Sequence, residues 1–156
     1  EIMKDSRVGS FGVVAIFLLL LWKWALLHDL PDSLLVPALI SMMTFGRFAM
    51  ILAILRFPYA RPEGMGKAFA LYAGTHSLGP ALATLLGLLA VFYFVTGALV
   101  CGIAAAAALA AILFAFWFGR WTTHKLGGMT GDTYGAVTEL SELVVLIVFV
   151  LSTFAK

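Results

Sequence analysis

The chain has 156 residues, of which 63% are hydrophobic and 12% are charged, and its mean hydropathy is +1.06. Soluble domains are about half apolar and about a quarter charged, so this composition excludes an ordinary soluble domain and predicts an integral membrane protein. The net charge of +2 comes from small clusters between apolar runs, which gives no support for nucleic-acid binding.

Five apolar runs are long enough to cross a bilayer, because a membrane-spanning helix needs about 20 mostly apolar residues. We therefore predict an all-α protein, with residues 1–156 forming a single membrane domain. In chain order the predicted spans cover residues 13–27, 34–55, 78–95, 98–118 and 137–154. A basic loop over residues 56–67 follows the second span, and a short interfacial helix precedes the third.

Two basic residues lie inside the predicted spans. Lys23 lies within about one turn of the end of the first span, where we expect its long side chain to reach the interface. Arg47 lies about 13 Å from the end of the second span, a depth at which a charge costs several kcal/mol unless it meets an anion. The sequence leaves its role open between a structural bridge and a contact with an anionic substrate or a site carboxylate.

Lysine and arginine divide unevenly between the two sides of such a bundle. Outside the spans, one side receives only Lys156, and the other receives Lys4, Arg7, Arg56, Arg61, Lys67, Arg120 and Lys125. By the positive-inside rule the basic side is cytoplasmic. Three polar segments therefore meet at this face, over residues 1–12, 56–67 and 125–142.

Carboxylates in the last polar segment share one helical stripe. If a helix starts near Asp132 and continues into the last span, Asp132, Glu139 and Glu142 lie on one side of it. Clustered carboxylates need a cation, and their hard oxygen atoms suit Mg²⁺ or Mn²⁺. A structural alternative stays open, in which Asp132 caps the helix and the two glutamates pair with basic side chains.

Glycines in the same segment point to anion binding. The backbone N–H groups of residues 127–131 can approach an anion closely, and the start of the last helix adds its positive end. Cationic side chains on the same face supply further donors for phosphate, arginine in a bidentate manner. A metal, cations and a membrane surface together favour phosphoryl or nucleotidyl transfer.

Three stretches resemble the motifs of one enzyme family. They are EIMKDSRVGSFG (1–12), YARPEGMGKAF (59–69) and KLGGMTGDTYGAVTELSEL (125–143), and they resemble adenosylcobinamide-GDP ribazoletransferase, the cobalamin synthase, in the same order. The resemblance implies a bacterial or archaeal inner-membrane enzyme that requires Mg²⁺. It also implies a reaction in which adenosylcobinamide-GDP is joined to α-ribazole or its 5′-phosphate, with release of GMP.

The resemblance implies roles for individual residues as well. Those that it assigns to the metal or to catalysis are Asp132, Glu139, Glu142 and Asp5. Those that it assigns to the phosphate-bearing substrates are Lys4, Arg7, Arg47, Arg61, Lys125, Gly127, Gly128, Thr130 and Gly131.

Members of that family carry an aspartate-rich segment upstream of the first motif. We therefore expect part of the metal site to lie outside these residues, and the 156-residue chain to be inactive alone. One alternative is a membrane enzyme of the CDP-alcohol phosphotransferase type, whose full aspartate motif this chain lacks. The other is a small-molecule transporter, which an internal repeat would favour, but the sequence shows no convincing repeat. Homo-oligomerisation is left open.

Overall fold

The computed structural model describes residues 10–61 and 65–154, and within these ranges the chain is almost entirely helical. The helices are α1 (Ser10–His28), α2 (Asp32–Arg56), α3 (Met65–Tyr72), α4 (Leu78–Thr96), α5 (Ala98–Leu126) and α6 (Gly131–Phe154). A 3₁₀ turn (Thr75–Ser77) leads into α4. Among the described residues, five helices are long and apolar enough to cross a membrane, and α3 is the short helix between them. The chain is a multi-pass membrane protein, and the predicted all-α, five-span fold is confirmed.

The helix bounds correct one predicted span and agree with the helix start considered for another. α5 continues past Phe118 to Leu126, so the aromatic and basic residues at its end belong to the helix. It ends only where Gly127 takes the left-handed conformation, with φ of +77°, and donates its N–H to the carbonyl of Thr123. α6 begins at Gly131, next to Asp132, and continues through the last predicted span. The glycine-rich segment is therefore a short turn between two long helices.

Three helices form the centre of the bundle. α2, α5 and α6 pack against one another, α4 packs on α5 and α2, and α1 packs mainly on α6. The contact surface of α5 consists of small buried side chains, namely Ala104, Ala107, Ala108, Ala111 and Ala115. Small residues let membrane helices approach closely, so these alanines allow α5 to pack tightly in the bundle.

α2 lies close to α6 at Gly46. A Cβ atom placed on Gly46 would lie 2.6 Å from Cγ of Glu142 and 3.2 Å from the carbonyl oxygen of Thr138. Real Cβ atoms do not come that close to other heavy atoms, so a side chain here would push the two helices apart. Gly46 therefore sets the distance between the two central helices.

Replacing Gly46 with alanine tests this packing. We expect Gly46→Ala to destabilise the folded protein by about 1–3 kcal/mol, because Glu142 and the α6 backbone have to move to admit the methyl group. Thermal unfolding in detergent, followed by circular dichroism, measures the loss. Gly87→Ala is the matched control, because a Cβ at Gly87 in α4 meets nothing within 4 Å. Equal midpoints for the two variants would contradict the close approach.

Candidate active site at the basic end of the bundle

The loop that follows α2 is joined to the turn that precedes α6. Met129 donates its N–H to the carbonyl of Pro58 over 2.7 Å, and Ala60 donates its N–H to the carbonyl of Met129 over 2.8 Å. A Cβ on Gly128 would lie 2.5 Å from the Pro58 oxygen, so only glycine allows this contact. Two of the polar segments expected at one face therefore meet there.

The start of α6 is capped by threonine side chains. Thr130 donates its N–H to Oγ1 of Thr133 over 2.7 Å, and Thr133 donates its N–H to Oγ1 of Thr130 over 3.3 Å. This reciprocal pair has the arrangement of a capping box. The side chain of Asp132 is 85% exposed and is left free for contacts outside the helix.

The four residues expected to form an anion loop have mostly structural contacts. The N–H of Gly127 ends α5, the N–H of Thr130 caps α6, and Gly128 is buried against the loop after α2. Backbone donors already paired inside the chain are not available to an anion in this conformation, and the anion loop of Gly127, Gly128, Thr130 and Gly131 stays a prediction. Among the four, Gly131 lines the cavity at the start of α6.

A cavity of about 380 Å³ lies between the loop, α3 and the first turn of α6. The lining residues are Met50, Ile54, Tyr59, Arg61, Gly66, Phe69, Gly131, Asp132, Tyr134 and Gly135. The backbone of α3 comes very close to α6 here, since a Cβ on Gly66 would lie 2.8 Å from the Gly131 nitrogen. The second and third motifs thus build one concave site.

Arg61 and Asp132 face each other at this cavity. Nη2 of Arg61 lies 3.6 Å from Oδ2 of Asp132, and the side chains are 37% and 85% exposed. Ion pairs this open to solvent contribute little to stability, so the two groups can separate without much loss. The guanidinium is therefore available to bind a phosphate in the bidentate manner that arginine favours.

Two tyrosines line the inner wall of the cavity, and neither was singled out from the sequence. The rings of Tyr59 and Tyr134 stack with centroids 6.2 Å apart. Tyr134 is buried, and among the described residues its hydroxyl has no hydrogen-bond partner. A buried hydroxyl without a partner costs free energy, and the hydroxyls of Ser41, Thr122 and Ser141 are buried in the same way. Both tyrosines lie inside the motifs that carry the family resemblance, and this position could have identified them from the sequence.

The two glutamates of α6 bind a lysine from α1. Nζ of Lys23 donates to Oε2 of Glu139 over 2.7 Å and to Oε2 of Glu142 over 2.6 Å. Lys23 is 6% exposed, so the expectation that its side chain reaches the interface is wrong. The two carboxylates inside the bundle bind the Lys23 ammonium group more strongly than water would at the membrane interface. The part of the structural alternative in which both glutamates pair with a basic side chain is confirmed. The part in which Asp132 caps the helix is wrong, because Thr130 and Thr133 cap it.

The described residues do not by themselves fit a divalent cation. None of their His, Cys, Asp or Glu side chains form a group of three or more that could hold a metal ion. Asp132 lies two turns, or about 10 Å, along α6 from Glu139, and the charge of the glutamates is already matched by Lys23. The magnesium site on Asp132, Glu139 and Glu142 stays a prediction.

The remaining expected site residues lie elsewhere. Lys4, Asp5 and Arg7 lie outside the described ranges. Lys125 is exposed in the last turn of α5, and its substrate contact stays a prediction. Arg47 lines a different groove, between α2 and α4, and not the cavity that holds Arg61.

Comparison with known proteins identifies a consistent set of relatives. The family model described as "Cobalamin-5-phosphate synthase" matches residues 1–150. The chain is 42% identical over 153 residues to the adenosylcobinamide-GDP ribazoletransferase of Desulforamulus reducens, covering 97% of this chain and 58% of the relative. It is 37% identical over 159 residues to the protein of that name from Roseiflexus sp. (strain RS-1), covering 97% and 54%. No solved structure matches. The chain thus spans a little over half the length of these curated relatives.

Replacing Lys23 with methionine tests the ion cluster. Lys23→Met leaves two carboxylates without their cation, and we expect it to lower the free energy of unfolding by about 3 kcal/mol or more. Glu139 is half exposed, so water solvates its carboxylate and the unpaired Glu139 contributes less to the loss of stability than the buried Glu142. The midpoint of thermal unfolding in detergent provides the measurement.

A triple variant controls for the loss of the lysine side chain itself. Lys23→Met combined with Glu139→Gln and Glu142→Gln removes all three charges, and we expect it to recover most of the lost stability. A triple variant that unfolds as early as Lys23→Met would show that the charges are not the cause. A single variant as stable as the original chain would contradict the buried ion cluster.

Proposed function

The chain belongs to the cobalamin-5-phosphate synthase family, and from this we propose that it forms part of an adenosylcobinamide-GDP ribazoletransferase. The proposed location is a bacterial or archaeal cytoplasmic membrane. The family match over residues 1–150 supports the enzyme class, and the cavity at the basic end of the bundle supports the location of the chemistry. The clustering of lysine and arginine at that end supports a cytoplasmic active face.

The proposed reaction is a transfer at phosphorus. A ribose hydroxyl of α-ribazole, or of its 5′-phosphate, attacks the phosphorus that is bonded to the cobinamide side chain. A new P–O bond forms to the ribose, the bond from that phosphorus to the bridging oxygen breaks, and GMP leaves with the electron pair. The hydroxyl proton passes to a base or to water. Negative charge grows on the leaving phosphate, so cationic and hydrogen-bond donors beside it lower the barrier.

One observation carries this assignment to the cavity. Arg61, whose guanidinium is loosely held by Asp132, lines the same concave site as Tyr134, whose buried hydroxyl has no partner among the described residues. The guanidinium would bind the diphosphate of adenosylcobinamide-GDP in place of Asp132, and the tyrosine hydroxyl would donate a hydrogen bond to a substrate oxygen. Asp132, once released, is an exposed carboxylate able to accept a proton or to contact a cation.

The magnesium requirement stays part of the proposal, without a complete site among the described residues. Magnesium would supply charge neutralisation at the phosphates. Asp132 is the most exposed of the three site carboxylates, Glu139 is about half exposed but bound to Lys23, and Glu142 is buried against Lys23. No step of the transfer is assigned to the glutamates.

Replacing Arg61 tests the phosphate contact. We expect Arg61→Gln to weaken binding of adenosylcobinamide-GDP to the purified chain by about tenfold or more, because a charge-assisted contact is lost. Equilibrium dialysis in detergent measures the binding. Arg120→Gln is the matched control, since Arg120 is exposed on α5 outside the cavity. Equal binding by both variants would exclude Arg61 from the site.

Turnover assays distinguish the proposed function from its rivals. We expect GMP release when the full-length protein that contains this chain acts on adenosylcobinamide-GDP and α-ribazole. Equal affinity for a CDP-alcohol would favour the phosphotransferase alternative. Passage of substrate across a vesicle membrane without GMP release would show that the protein is a transporter and would contradict the enzymatic function.

Replacing Tyr134 with phenylalanine separates a binding role from a structural one. The change removes a buried hydroxyl that has no partner within the described residues, so we expect the free energy of unfolding to stay level or rise. Binding of adenosylcobinamide-GDP should weaken by about tenfold, if the hydroxyl donates to the substrate. Unchanged binding would contradict the proposed contact, whatever the stability.

A further inference from the structure

Arg47 lies deep inside a membrane-spanning helix. It is exposed on α2, a helix of 25 residues that measures about 37 Å and so exceeds the hydrocarbon thickness of about 30 Å. Arg47 precedes the end of that helix, Arg56, by about 13 Å. Most of this distance lies within the hydrocarbon region, where an unpaired arginine is costly. Its guanidinium therefore needs an anion or a route to the headgroups.

The described part of the chain supplies no anion for Arg47. None of the ion pairs and hydrogen bonds within residues 10–61 and 65–154 involves it. The helix across the groove, α4, contains no acidic residue, and neither does α5 behind it. The two glutamates of the membrane region are on α6 and are bound to Lys23. The partner of Arg47 therefore comes from outside these residues.

The surface around Arg47 is a groove with an amphipathic lining. It has a volume of about 360 Å³ and lies between α2 and α4. Thr44 and Thr84 also line the groove, where the hydroxyl of Thr84 donates to the carbonyl of Pro80, and the exposed Met43 and the buried Phe48 provide apolar walls. A cation continuous with an apolar surface matches a phosphate group that is attached to an acyl chain.

We propose that this groove binds an anionic phospholipid, with Arg47 bound to the lipid phosphate. Charge complementarity selects the headgroup, because the groove holds an arginine and no described carboxylate. The apolar walls select an amphiphile over a soluble phosphate, since they can bury the start of an acyl chain. The groove shares no lining residue with the cavity of Arg61 and Asp132, so the lipid does not occupy the proposed active site.

Lipid titration of the purified protein tests the proposal. The chain in mild detergent is titrated with phosphatidylglycerol, and bound lipid is counted by native mass spectrometry. We expect Arg47→Gln to reduce phosphatidylglycerol binding by about tenfold, and Arg47→Lys to retain part of it. Arg120→Gln removes the same charge away from the groove and should leave binding unchanged. The thermal midpoint of Arg47→Gln should match that of the original chain, because Arg47 has no described protein partner.

Further ligands distinguish the source of the phosphate. Diacylglycerol, which lacks the phosphate, should not compete with phosphatidylglycerol, and neither should inorganic phosphate or GDP. Competition by GDP would overturn the proposal in favour of a substrate subsite at Arg47. If Arg47→Gln and Arg120→Gln lose the same amount of bound phosphatidylglycerol, the loss reflects net charge alone and the proposal is overturned. The proposal is also overturned if the original chain binds no phosphatidylglycerol.

Discussion

The contact between Lys23 and the two glutamates of α6 is the interaction on which the position of α1 depends. α1 packs mainly on α6, and Lys23 is the only buried residue of its described length, Ser10–His28. In the hydrocarbon region a charge is tolerated where it meets an opposite charge, and breaking the pair leaves an uncompensated ion. Apolar packing against lipid gives little preference for one rotation of a helix. The ion cluster therefore fixes which face of α1 meets the bundle.

Glycine determines how closely the other parts approach one another. Gly46 brings α2 against α6 beside Glu142, and Gly66 brings α3 against the start of α6. Gly128 lets the turn before α6 pair with the loop after α2. The proposed active site is a consequence of these contacts, since its walls come from the loop, α3 and α6. Arg61 and Tyr134 meet there although they are far apart in the sequence.

The membrane spans could be predicted from the sequence, because apolar length alone determines which segments can cross a bilayer. The end of α5 could not, since hydropathy falls near Phe118 while the backbone continues as a helix until Gly127. The helical spacing of the acids on α6 predicted that Glu139 and Glu142 share one face of the helix. It did not predict which residue they bind. Lys23 is 116 residues from Glu139, and periodicity holds no information about which helix lies opposite. The buried hydroxyl of Tyr134 likewise became visible only from the packing around it.

The central claim is that the substrate diphosphate binds in the cavity of Arg61 and Tyr134. An experimental structure of the protein with adenosylcobinamide-GDP bound tests it most directly. The account predicts phosphate oxygens within hydrogen-bond distance of the Arg61 guanidinium and the Tyr134 hydroxyl, with Lys23 still bound to Glu139 and Glu142. A diphosphate bound at Arg47 between α2 and α4, or at the glutamates with Lys23 displaced, would contradict it.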